Sequence, residues 1–193
     1  MQNQGVVLLI ISVLISVFIS TRLKRGCGES GLVVKSSCFD HQVADFIKYN
    51  GSRVAGVDPS GNGLYAVVLT KSMGGRKIKS VRTFHVGVLK LNNFESRLMD
   101  MRSFVEKCKA GQLLVLFSLG TTHEKTVMEE LRNGIVAGKY ESAAEVLKLY
   151  GMKKFLTMAH GCRQPYILIH DLKLGQTLVE RTGICGGVLC AKV

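Results

Sequence analysis

The apolar and polar positions of this chain fall into short extended runs separated by a few helical stripes. Residues 63–70 are a short apolar run rich in β-branched and aromatic side chains, and residues 78–86 resume an extended pattern. Between them Met73-Gly74-Gly75-Arg76 supplies residues that tolerate positive φ, so the stretch predicts a hairpin. In 94–109, Phe94, Leu98, Met101, Val105 and Cys108 recur every three or four positions, which predicts an amphipathic helix. Asn92 or Asn93 is placed to cap its start and Gly111 to end it. Residues 112–119 are continuously apolar between Gly111 and Gly120, the signature of a central strand buried on both faces.

Two further helices are predicted over 123–136 and 140–154, broken at Gly138. Val127, Met128, Leu131 and Ile135 form the inner stripe of the first. Ala143, Ala144, Val146, Leu147 and Leu149 form that of the second, closed by Gly151. Residues 166–172 and 176–181 read as strands around a turn at Gly175. Upstream, 32–34 is a short strand candidate and 39–49 is either a turn of helix or a strand. Asn50-Gly51 is a turn, 53–57 a short strand and 57–63 a loop. No element is assigned to the C-terminal Cys185-Gly186-Gly187-Val188-Leu189-Cys190.

The N-terminus changes the picture. Residues 6–20 carry no charge, and Gly5 and Thr21 extend the run into the lower part of the ~17–25 residue range of a membrane span. A signal peptide and an uncleaved signal-anchor compete. Phe18 and Ile19 fit a small-residue cleavage site poorly, which places the anchor ahead. The basic group Arg22-Leu23-Lys24-Arg25 follows the run and by itself would keep the body in the cytoplasm. Six Cys after the run and the sequon Asn50-Gly51-Ser52 argue for the luminal or extracellular side instead. The expectation is the secretory pathway, either secreted or single-pass with the membrane reached through residues 6–21.

The net charge is +12, and it remains +9 from Cys27 onward. The cations are dispersed, with Arg76-Lys77-Ile78-Lys79 and Lys153-Lys154 the densest groups, so a solvated basic surface is preferred to a nucleic-acid site. Hydrophobic content is 47% with two Pro, enough apolar surface for one folded domain without long disordered tracts. Among motifs that carry chemistry there is no G-x-S-x-G, P-loop or H-E-x-x-H. His85, His123, His160 and His170 are not aligned with a nucleophile, and no Cys pair has tight zinc spacing. The prediction is therefore no enzyme, no metal and no cofactor. Disulfides explain Cys27, Cys38, Cys162, Cys185 and Cys190 better than zinc does, with pairing left open. Cys108 reads equally well as a buried thiol.

The order of motifs adds to this. Gly61-x-Gly63-Leu64-Tyr65-x-Val67-Val68-Leu69, then Val81-Arg82-Thr83-Phe84-His85-Val86, a helix, and Ala110-Gly111-Gln112-Leu113-Leu114-Val115-Leu116 together resemble the ILEI/PANDER domain. This is the lectin-like domain of the interleukin-like inducer of epithelial–mesenchymal transition and pancreatic-derived factor. It also occurs in the stem of the protein O-mannose N-acetylglucosaminyltransferase. Cys162-Arg163-Gln164-Pro165-Tyr166 resembles the family's C-terminal F/W-R-D-x-W element, and Cys27-Gly28 its N-terminal Cys-Gly. The resemblance spans about 61–175.

The resemblance implies an α+β fold, a compact ββα domain of two mainly antiparallel sheets with packed helices, behind the N-terminal hydrophobic segment. It divides the chain into 1–25 (leader and basic flank), 26–60 (a Cys-containing N-terminal segment) and 61–193 (the ILEI/PANDER-like domain). It implies a non-enzymatic, secreted or membrane-tethered signalling or interaction module whose partner is a cell-surface receptor or glycan. The alternative is a luminal, Golgi-type carbohydrate-binding domain. The family's ligand positions map to Asn62, Glu124, Arg163, Gln164 and Tyr166. Of these only Arg163 keeps the family's residue type: Asn62 stands at the usual Arg, and Gln164 and Tyr166 at the usual Asp and Trp.

Overall fold

A computed structural model describes residues 30–37, 46–55, 63–71, 77–87, 91–108, 111–120, 125–157, 164–184 and 188–193. The elements run β1 (Leu32–Ser37), β2 (Ile47–Tyr49), β3 (Ser52–Arg53), β4 (Gly63–Lys71), β5 (Ile78–Gly87) and α1 (Leu91–Lys107). They continue with β6 (Leu113–Leu119), α2 (Lys125–Val136), α3 (Glu141–Leu149), β7 (Tyr166–Asp171), β8 (Gln176–Thr182) and β9 (Val188–Lys192). The fold is mixed α+β. Five strands lie antiparallel in the order β5-β4-β6-β7-β8. Four more, β3-β2-β1-β9, are also antiparallel, and the two groups join where Ser37 of β1 pairs in parallel with Leu119 of β6.

Period-2 alternation explains why the central strands read as unbroken apolar runs. Leu64, Ala66 and Val68 of β4, Leu114 and Leu116 of β6, and Tyr166 and Leu168 of β7 enter one core. There they meet Phe94, Leu98, Met101 and Val105 of α1, Leu131 of α2, and Ala143, Val146 and Leu147 of α3. The intervening Tyr65, Val67, Leu69, Val115, Phe117, Ile167 and Ile169 enter a second core, covered by Leu32, Val34, Phe46, Ile47, Val54 and Ala191. Strands β4, β6 and β7, the middle layer, are thus buried on both faces, one under helices and one under β1, β2 and β9. Segment 26–60 supplies β1 to β3, and β1 is hydrogen-bonded along β9, so these strands share one sheet with the 61–193 body.

Several expectations change at the level of single residues. The first helix starts at Leu91, so Asn92 and Asn93 lie inside its first turn. Gly111 does not end that helix; it sits against β4, where a Cβ would come 2.2 Å from Val68 Cγ1. Leu149, assigned to the inner stripe of α3, is 48% exposed as that helix's last residue. The predicted strand over 53–57 shortens to Ser52–Arg53, and from 39–49 the described strand is Ile47–Tyr49. Strand β9 was not expected. Its pattern is half-exposed, and its partner β1 lies at the other end of the sequence. The predicted two-residue turn is present, with Asn50 at φ 50° and Gly51 at φ 79°, the left-handed pair that joins β2 to β3. Asn50 also anchors the turn, its Oδ1 accepting from the Gly31 N–H at 2.8 Å.

Candidate functional site

Strand β5 is hydrogen-bonded to β4 along one edge, and among the described residues no strand pairs with its other edge. Strand β3 ends the opposite side of the sheet path. The folding of the sheet over the second core brings these two ends together across an open groove of about 720 Å³. Ser52, Arg53, Val54 and Ala55 line one wall and Lys77 through Val81 the other, with Tyr49 and Asn50 at the hairpin end. The floor is the rim of the second core: Val54 is buried, and Tyr49, Ile78 and Val81 pack against it half-buried. Arg53, Lys77 and Lys79 bring positive charge, and no described lining residue is acidic. The pairing register steps from Thr70↔Ser80 to Lys71↔Ile78, so Lys79 is the extra residue of a β-bulge and lies exposed at the groove.

The residues expected from the family pattern are distributed differently. Asn62, Glu124 and Arg163 lie outside the described residues, as do Cys27, Cys38, Cys162, Cys185, the 73–76 turn and the N-terminal run of 6–21. Gln164 is half-buried just before β7. Tyr166 corrects an expectation: its ring is wholly buried in the helix-side core, edge-on to Phe155 at 5.3 Å, so it offers no surface for a ligand to stack on. Cys190 is disulfide-bonded, and Cys108 is a buried free thiol. Among the described residues no helix is long and apolar enough to cross a membrane, and no three metal-ligating side chains gather.

The buried polar groups serve the fold. Ser36 Oγ donates to the Ser118 carbonyl at 2.6 Å, and Ser118 Oγ accepts from the Tyr166 N–H at 2.8 Å, where β1 meets β6. Glu180 Oε1 accepts from Tyr166 Oη at 3.0 Å and from the Lys154 N–H at 2.7 Å. His170, 4% exposed, shares a 3.1 Å hydrogen bond between Nδ1 and Thr177 Oγ1, and Thr177 Oγ1 donates to the Tyr150 carbonyl. The Tyr150 ring stands edge-on to the imidazole at 5.8 Å. Burial lowers the His170 pKa from its ordinary value, with Asp171 opposing the shift. A proton therefore prefers the unfolded chain. Stability is intact above the ordinary His value near 6.5 and falls as pH drops below it. In thermal unfolding, the fall in midpoint between about pH 7.5 and about pH 5 is expected to be smaller in His170→Gln than in the parent. An equal fall in both proteins would assign the acid sensitivity elsewhere.

The groove is what the sequence pattern did not isolate. Its signal was there: Lys77 and Lys79 belong to the densest basic group of the folded body. Arg53 lies 24 or more positions away in sequence, and only the closure of the sheet brings it alongside. In comparisons with known proteins, no family model matches the chain and no curated protein matches it.

Proposed function

We propose that this chain is a non-enzymatic recognition module of the ILEI/PANDER-like kind, secreted or tethered by its N-terminal segment. It acts by holding a cell-surface partner in the groove between β3 and β5. The observation that carries this reading is the groove's make-up: an apolar floor, Arg53 on one wall facing Lys77 and Lys79 on the other, and no described acidic lining residue. A rigid sheet that presents such a cleft selects a partner with negative charge and some apolar surface. The ordered motifs from Gly61 to Tyr166 support the family assignment. The carbohydrate-binding alternative stands second, because the burial of Tyr166 removes the stacking ring from the Arg163, Gln164 and Tyr166 constellation.

Binding of the purified full chain to cells, measured by flow cytometry, tests the proposal. Binding is expected to weaken with added salt and to fall about tenfold or more in Lys77→Glu/Lys79→Glu, with the unfolding midpoint unchanged. Undiminished binding by that variant, together with loss of arrayed-glycan binding in Arg163→Ala, would move the site to Arg163 and favour the carbohydrate reading.

A further inference from the structure

The groove wall is built from consecutive residues, and that decides what it recognises. A strand that shows one face to a cleft contributes alternate residues; a strand that shows its edge contributes every residue in turn. Lys77, Ile78, Lys79, Ser80 and Val81 all line the groove, as do Ser52, Arg53, Val54 and Ala55 on the facing wall. The groove therefore runs along the edge of β5, whose main chain is part of its surface, and of the facing wall Ser52 and Arg53 belong to a strand. Strand β5 spans ten residues, and among the described residues no strand pairs with its outer edge. Such an edge is a template for an added strand.

We infer that the groove takes an acidic peptide segment in extended conformation, added as a further strand along the first half of β5. This rests on the reading of the groove as the recognition site. Main-chain hydrogen bonds to β5 supply affinity for any extended segment, and the side chains select among them. Alternate residues of the guest face the apolar floor at Val54, Ile78 and Val81, and the others face Arg53, Lys77 and Lys79. Edge lysines normally repel strand addition by neutral or basic segments. Towards a carboxylate-bearing strand the same charges become attractive, and they speed encounter as well as hold it. A second copy of this chain is disfavoured, since it brings the same cations to the same edge and a net charge of +12 to the encounter.

The test uses the full chain produced without N-glycosylation, so that Asn50 at the end of the groove carries no sugar. The probes are end-blocked peptides of about eight residues alternating Val with Glu or Val with Lys, and a sulfated oligosaccharide of similar length, with affinity read by calorimetry. The Val-Glu peptide is expected to bind, the Val-Lys peptide is not, and Lys77→Glu/Lys79→Glu is expected to weaken binding about tenfold or more. N-methylation of alternate amides on one edge of the Val-Glu peptide should weaken it by a similar factor, and methylation on the other edge should not. Full binding by both methylated peptides would reduce the interaction to charge alone and overturn strand addition. Lysine-dependent binding of the oligosaccharide without the peptide would also overturn it, while leaving the groove as the recognition site. No lysine-dependent binding of either probe would overturn both readings.

Discussion

Phe117→Ala is expected to lower the stability of the fold by about 3–5 kcal/mol, the range for emptying an aromatic site in a closed core. Phe117 is wholly buried in the middle of β6, and its ring joins two layers. On one side it stacks on Phe46, with centroids 5.5 Å apart, and on the other it stacks on Tyr65 at 5.6 Å. Tyr65 in turn lies 4.6 Å from the His85 ring on β5. The row therefore runs from Phe46, beside β2, to β5 at the end of the sheet path. Neighbours held by strand pairing on both sides of β6 cannot move in to fill the space. Urea titration checks this: the midpoint should fall with little change in slope, and Phe117→Leu should lose much less. A loss under about 1 kcal/mol in the alanine variant would mean that β1, β2 and β9 collapse onto β6 and its neighbours. Against a typical total of about 5–15 kcal/mol, the expected loss is a large share.

How much of this was legible follows from where each signal lies. Continuous burial of 113–119 could be read directly, because a run apolar at every position but Ser118 has only a two-faced core to explain it. The inner stripe of α1 was equally direct, since Phe94, Leu98 and Met101 are all wholly buried. The layer structure was not legible. Assigning Val67 to one core and Val68 to the other needs the strand neighbours, and those come from distant parts of the chain. Strand β9 fails for the same reason: its half-exposed pattern is stabilised by five register pairs with β1, more than 150 residues away. At the site, the basic group at 76–79 was visible as charge, but its meaning was not. The apolar floor from Val54 and the facing Arg53 depend on closure of the sheet. Tyr166 shows the converse. Its place in a motif suggested a ligand position, whereas its place in β7 turns it inward beside Leu168.

That inward tyrosine leads to the second large effect. Glu180→Ala is expected to lose about 1–3 kcal/mol, because the carboxylate serves several donors at once. Its Oε1 accepts from the Lys154 N–H at 2.7 Å, the Phe155 N–H at 3.3 Å and Tyr166 Oη at 3.0 Å. It thereby ties β8 to the short turn at Phe155–Thr157, and that turn carries Phe155 into the core against Phe94 and Tyr166. Burial, and after it the charge of Glu180, raises the Tyr166 pKa well above its ordinary value; burial likewise pushes Tyr150 up to about 12. Both groups hold their protons more tightly in the folded chain. Their contribution is complete below the ordinary tyrosine value near 10 and is lost as pH rises above it, so unfolding should become easier above about pH 10. A double-mutant cycle separates the bond from the packing. Tyr166→Phe alone should lose about 1 kcal/mol, but in the Glu180→Ala background it should be neutral or stabilising, because it then removes an orphaned buried hydroxyl. Equal losses in both backgrounds would mean that Tyr166 and Glu180 act independently, and that Glu180 holds the turn through the Lys154 and Phe155 N–H groups without the tyrosine hydroxyl.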